Sequence, residues 1–186
     1  MKELLLAAVL LQDPPPQPPP LPGPEEKPPA PADPAKELKD VWMKVIELCK
    51  ADKKDEVQKT IAAMELSRTE MAAIFGEEKT AKVYGAYQKN WKERVLADAA
   101  ADLVARCKKS AWYDVDVWCL NDTEEKQLTA DDRGVLESLA TKDVKVYNVR
   151  LKQMEKKDGL VLRCFVKSGE VQWKMGLKIG KNLAEK

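Results

Sequence analysis

The spacing of apolar residues changes once along the chain, and that change divides it into a helical and a stranded part. Between residues 36 and 51, Leu38, Val41, Trp42, Val45, Leu48 and Cys49 return at steps of three and four with Lys and Glu between them, which predicts an amphipathic helix. Asp52 to Asp55 is a charged break, after which Val57, Ile61 and Met64 mark a shorter second helix. Ser67-Arg68-Thr69-Glu70 has the S-x-x-E pattern in which the serine side chain and the glutamate each satisfy a free N–H, so a third helix starts there and Gly76 ends it. Residues 77–108 read as one long helix with an apolar stripe of Tyr84, Tyr87, Trp91, Val95, Ala99, Leu103 and Cys107. Gly85 interrupts it, either as a weak spot costing about 1 kcal/mol relative to Ala or as a point of close helix contact.

After residue 110 the period falls to two. In the segment 111–120, Tyr113, Val115, Val117 and Cys119 share one face and Trp112, Asp114, Asp116 and Trp118 the other. Thr129-Ala130-Asp131-Asp132 is a second capping pattern, opening a short helix through Val135, Leu136 and Leu139. Residues 142–155, 160–167 and 170–179 read as strands, joined by tight turns at Asp158-Gly159 and Ser168-Gly169. The expected fold is α+β, with N-terminal helices packed on one face of a C-terminal, curved antiparallel sheet of about four strands. Its core should set Tyr84, Tyr87, Trp91, Val95 and Leu103 of the long helix against Val115, Val117, Leu162, Trp173 and Leu177.

Composition adds a boundary. All twelve prolines of the 186 residues fall between Pro14 and Pro34. This predicts a Pro-rich spacer over 13–34, since proline cannot donate to a helix or sheet ladder, and a single domain over 35–186. The apolar octet Leu4–Leu11 behind Lys2 has the length of a signal-peptide core, too short to span a bilayer. Residues 1–12 are therefore read as a signal peptide and the protein as extracytoplasmic, periplasmic or secreted. Residues 1–34 carry a net −3 and the remainder +4. A +4 excess over so long a domain does not point to nucleic acid.

The chain has no histidine, which excludes Ser-His and Cys-His catalysis within it. Cys49, Cys107, Cys119 and Cys164 form no C-x-x-C, so neither a metal site nor a cofactor is expected. They read as buried core residues. If exported thiols pair, Cys49 with Cys107 and Cys119 with Cys164 is the pairing to test first. The polar strand face is the other candidate. Trp112, Asp114, Asp116 and Trp118, with Asn148, Arg150 and Lys152 and with Arg163 and Phe165, form either an ordinary solvent face or a cleft with carboxylates, cations and aromatic walls. Trp112, Trp118, Arg163 and Phe165 are its candidate binding residues. In the cleft reading, Asp114 or Asp116 has a raised pKa and serves as acid–base, with Tyr147 or Arg150 polarising the substrate. Phosphate-loop, dinucleotide, hydrolase-elbow and calcium-loop motifs are absent.

This order of elements over 36–182 resembles the nuclear transport factor 2-like and cystatin-like cone folds, in which a long helix crosses a curved sheet. The stretch Met64–Tyr87, with Phe75-Gly76 and a Tyr-bearing helix, and the closing hairpins also resemble uncharacterised secreted bacterial proteins of that kind. The resemblance is architectural and carries over no site residue. It implies an exported, non-catalytic binding or accessory module for a protein or small molecule. The alternatives are a pocket enzyme using Asp114 or Asp116, and a protein–protein interaction domain. A pocket between helix and sheet, and the groups converging in it, separates them.

Overall fold

A computed structural model describes residues 33–154, 159–169 and 172–176. The expected signal segment and the spacer up to residue 32 lie outside the described residues, as do Val171, Leu177 and Ile179 of the last predicted strand. Within them the chain runs α1 (Pro34–Lys50), α2 (Lys54–Ala62), α3 (Arg68–Phe75), α4 (Glu77–Asn90), a π-helical turn (Trp91–Leu96), α5 (Ala99–Ser110), β1 (Trp112–Cys119), α6 (Ala130–Ser138), β2 (Val146–Gln153), β3 (Leu160–Ser168) and β4 (Gln172–Met175). The strands form one antiparallel sheet in the order β1-β2-β3-β4. The fold is α+β, with the helices mostly N-terminal and the strands C-terminal. Among the described residues no helix is long and apolar enough to cross a membrane.

Helix starts follow local chemistry. Pro34, read as the end of the spacer, is the first residue of α1: its fixed φ suits that position, and the Asp33 side chain accepts from the Ala35 N–H at 3.0 Å. Ser67 and Glu70 form a reciprocal capping box on α3, at 3.2 and 2.8 Å. Gly76, at φ +86°, ends α3 and opens α4, a turn that any L side chain would strain.

Two expectations about the core are corrected. The predicted helix over 77–108 is three pieces, because the π-helical turn and residues 97–98 divide it. The stripe continues across the break (Tyr87, Trp91, Val95, Leu103 and Cys107 are all buried), so periodicity alone could not reveal it. Gln58 of α2 supports the break by donating its side-chain amide to the Leu96 carbonyl at 3.0 Å. The helix laid most fully on the sheet is also a different one. It is α1, whose Leu38, Trp42, Val45, Ile46 and Cys49 are buried between the sheet and helices α2 and α5. Trp42 meets Phe165 of β3 edge to face, centroids 5.7 Å apart.

Cross-strand pairing assigns the faces. Val115, Val117, Tyr147, Val149, Leu151, Leu160, Leu162, Phe165, Trp173 and Met175 belong to the α1 side. Two bulges reverse the parity that simple alternation predicts. One lies between Trp112 and Asp114, so Trp112 (1% exposed) joins the core with Val115 while Tyr113 (51%) points outward. The other sets Arg163 and Cys164 opposite Asn148, so Phe165 lies in the core on the α1 side. Neither Trp112 nor Phe165 belongs to the expected binding face.

The free edge of β4 is covered by residues 63–66. The Met175 N–H donates to the Met64 carbonyl at 2.9 Å, and Lys174 Nζ reaches the Ala63 and Glu65 carbonyls. Tyr87 locks this seam: its buried hydroxyl accepts from the Leu66 N–H at 2.8 Å and donates to the Met175 carbonyl at 3.2 Å. Tyr87→Phe leaves both backbone groups without that partner, and urea unfolding should show a loss of about 1–3 kcal/mol. Gly85 faces open space, with nothing within 4 Å of an added Cβ, so it marks no helix contact. Gly85→Ala should therefore raise stability by about 0.5–1 kcal/mol in the same titration.

Candidate functional site: an apolar cavity beneath the π-helical turn

Three places gather polar or apolar groups that could serve function. The first is the bulge in β3. Cys164 takes a left-handed backbone (φ +62°), and its N–H donates to the Asn148 side-chain oxygen at 3.0 Å. Asn148, fully buried, donates in turn to Asp132 of α6 at 3.0 Å. Asp132 also accepts from the Thr129 N–H and hydroxyl, and from Arg163 Nη1 at 2.9 and 3.0 Å. Burial pushes the Asp132 pKa up, but these donors outweigh it and hold the carboxyl below its ordinary value. This network docks α6 on the face away from α1 and satisfies the polar groups that the bulge leaves unpaired. It is structural: Cys164 is fully buried and its thiol is pushed up to about 12, chiefly by burial, which removes the thiolate needed for chemistry.

The second is the polar face, of which Asp114, Asp116, Trp118, Arg150 and Lys152 remain together. Lys152 bridges Asp114 (3.2 Å) and Asp116 (2.7 Å), and Lys39 of α1 reaches Asp114 at 2.9 Å. Lys39, with Lys152 and the Val115 N–H behind it, lowers the Asp114 pKa to about 2. That is opposite to the raised pKa of a general acid. The Arg150 guanidinium lies 5.4 Å from the centre of the Trp118 ring, which accounts for a tryptophan on a polar strand face. Tyr147 is on the α1 side, away from Asp114 and Asp116, so it cannot polarise a substrate held by them, whereas Arg150 shares their face. Arg163, on the same face as Trp118, is committed to Asp132. Tyr147 instead lines a cleft of about 580 Å3 with Glu70, Lys145, Lys167 and Ser168. Its lysines are neutralised there, Lys145 by Asp122 at 3.1 Å and Lys167 by Glu37 at 2.6 Å.

The third is a cavity of about 480 Å3 where the π-helical turn and α5 stand off the sheet. Trp42, Ile61, Val95, Leu103, Leu160, Leu162 and Met175 form its apolar floor and walls. Asn90, Glu93, Arg94, Asp98, Asp102 and Arg106 contribute its polar lining. Arg106 pairs with Asp102 at 2.7 Å, both side chains more than half exposed. The Trp42 indole N–H is buried and finds no acceptor among the described residues. Burying roughly 200 Å2 of that ring at ~25 cal/mol/Å2 contributes about 5 kcal/mol, more than the ~1–3 kcal/mol of an unmade hydrogen bond, so the ring stays in the floor. No hydroxyl, thiol or amine side chain lines this cavity among the described residues.

Sequence reading missed this cavity, because the break that creates it leaves the helical stripe intact. It also missed the second role of Asp132, recognised only as a cap. The available signal was Asn148, a polar residue between Val146-Tyr147 and Val149 that needs a buried partner. Among the described residues no group of three or more His, Cys, Asp and Glu is placed to hold a metal ion. Comparison with family models, with curated proteins and with solved structures gives no match for this chain.

The network gives a pH test. With its folded pKa depressed, Asp132 contributes stability that is full above the unfolded carboxylate value of ~3.9 and is lost as pH falls through the folded value. Asp132→Asn should cost about 3 kcal/mol at pH 7 and lose less further stability than wild type on acidification. Urea titrations at several pH values measure both.

Proposed function

We propose that this chain is a non-catalytic binding module that takes a small, largely apolar molecule into the cavity between the π-helical turn, α5 and the sheet. The observation that carries the reading is the cavity itself. Its volume of about 480 Å3 lies within the ~300–1,000 Å3 span of small-molecule sites, with an apolar floor and polar groups confined to one side. The carboxylates there are poorly suited to acid–base work: Glu93, Asp98 and Asp102 are exposed, and Asp102 is paired with Arg106. The pocket-enzyme alternative drew on Asp114 and Asp116, which line another surface and are paired with lysines. For an interaction domain the support is slighter, since the exposed large apolar side chains among the described residues are Leu96, Tyr113 and Met154. The element order, a helix laid across a curved sheet with a cavity beside it, keeps the cone-fold kinship within the proposal. Export rests on the apolar octet Leu4–Leu11 and the Pro-rich stretch that follows it.

The test uses the neutral fluorophore N-phenyl-1-naphthylamine. Wild type should bind it saturably with enhanced fluorescence. Ala99→Trp, which fills the cavity from the first turn of α5, should weaken binding about tenfold or more, equivalent to about 1.4 kcal/mol, while the melting temperature stays within a few degrees. Equal binding by both proteins, or none by wild type, would overturn the proposal.

A further inference from the structure

The C-terminal ends of α1 and α5 converge. Cys107, in the last turn of α5, places its Sγ 3.9 Å from the Ile46 carbonyl, three residues before Cys49 in the last turn of α1. One residue beyond Cys107, Lys108 Nζ pairs with Asp52 at 3.0 Å, just past the end of α1. Cys49 and Cys107 are both buried in this seam as free thiols, and the carbonyl that the Cys107 thiol approaches lies one helical turn before Cys49 on α1. The other two cysteines have no such neighbour: Cys119 is on β1 and Cys164 on β3, with β2 between them. Two strand spacings make roughly 9–10 Å, beyond the ~7 Å Cα separation that a disulfide can bridge, so the expected Cys119–Cys164 pairing is corrected.

We propose that Cys49 and Cys107 are a disulfide-forming site that clamps α1 to α5. The oxidant is a low-molecular-weight disulfide. One protein thiolate attacks it, releasing one small thiolate and leaving a mixed disulfide. The second protein thiolate then attacks the protein-side sulfur and releases the other small thiol. Two protein thiols lose two protons and two electrons, and the small disulfide is reduced to two thiols, so the exchange balances. Burial, with the neighbouring thiol adding to it, pushes Cys49 up to about 12, and burial raises Cys107 as well. The native pair therefore reacts slowly, through opening of the two final helical turns, where helices fray most readily. Closing the long loop between them constrains the unfolded chain and so stabilises the fold.

The full chain, purified reduced, is incubated with oxidised glutathione in buffer and in urea below the unfolding transition, acid-quenched, alkylated with N-ethylmaleimide in denaturant and mapped by mass spectrometry. The proposal expects a mass loss of about 2 Da before alkylation, two thiols protected, and Cys49 and Cys107 in one cross-linked peptide, reached faster in urea. It also expects the oxidised chain to melt on the order of 10 °C higher. Cys107→Ala should abolish the mass loss and Cys119→Ala should leave it unchanged. Four alkylatable thiols after exhaustive exchange, a cross-link through Cys119 or Cys164, or an oxidised chain that melts no higher would overturn it.

Discussion

The structure depends on how the apolar stripe of α1 is covered. Leu38, Trp42, Val45, Ile46 and Cys49 recur at steps of three and four and form one buried stripe, with Lys36, Asp40, Lys44, Glu47 and Lys50 exposed on the opposite side. The sheet meets that stripe through Trp42 on Phe165, and α2 and α5 pack along its flanks. This arrangement fixes where α4 and α5 can go. They must pack around a helix already seated on the strands, and a straight helix of 77–108 would have to follow both the Tyr87 seam at β4 and the α1 seam at Ile46. The π-helical turn and the two residues after it absorb that change of course. The Gln58 amide meets the carbonyl at the end of the wide turn, which limits the cost of breaking the ladder.

The cavity follows from the same constraint. Where the wide turn and the start of α5 leave the sheet, the apolar ends of Leu160, Leu162 and Met175 have nothing bulky above them among the described residues, and Trp42 becomes a floor. Polar groups gather at its helical side because α4, the turn and α5 present their outward residues there. A π-helical turn beside a cavity is a recurrent feature of functional sites, and here the geometry supplies the reason: the turn displaces the wall.

How much of this could be read in the sequence depends on scale. Helix and strand identities were legible because 3.6- and 2-residue periods differ over ten or more positions, and the capping boxes at Ser67 and Thr129 are local chemistry. The faces of the sheet were legible only as far as the first bulge. One extra residue between Trp112 and Asp114 sends Trp112 inward and Tyr113 outward, and another near Cys164 does the same for Phe165. A bulge has no compositional mark when the residue taking the left-handed backbone is a cysteine rather than a glycine. The candidate face was therefore a composite of two physical surfaces. Its half-buried members Trp118 and Arg150 stack on each other, and Arg163 is committed to Asp132.

The distribution of polar groups then separates structural from functional places. At the β3 bulge every participant has a specific partner: Asn148 bonds Cys164 and Asp132, and Asp132 bonds Thr129 and Arg163, so a ligand entering there would have to displace good hydrogen bonds. On the β1–β2 face the aspartates are bridged by Lys39 and Lys152. The cavity beneath the π-helical turn differs in kind. Its wall is apolar surface beside which no atoms of the described residues fill the space, and its nearby charges are at the exposed side, where water or a ligand can replace their partners at little cost. Of the three places, it is the one where binding a ligand adds contacts without first breaking any. That asymmetry, rather than the inventory of polar residues, is what favours the helical side of the sheet for the proposed binding role.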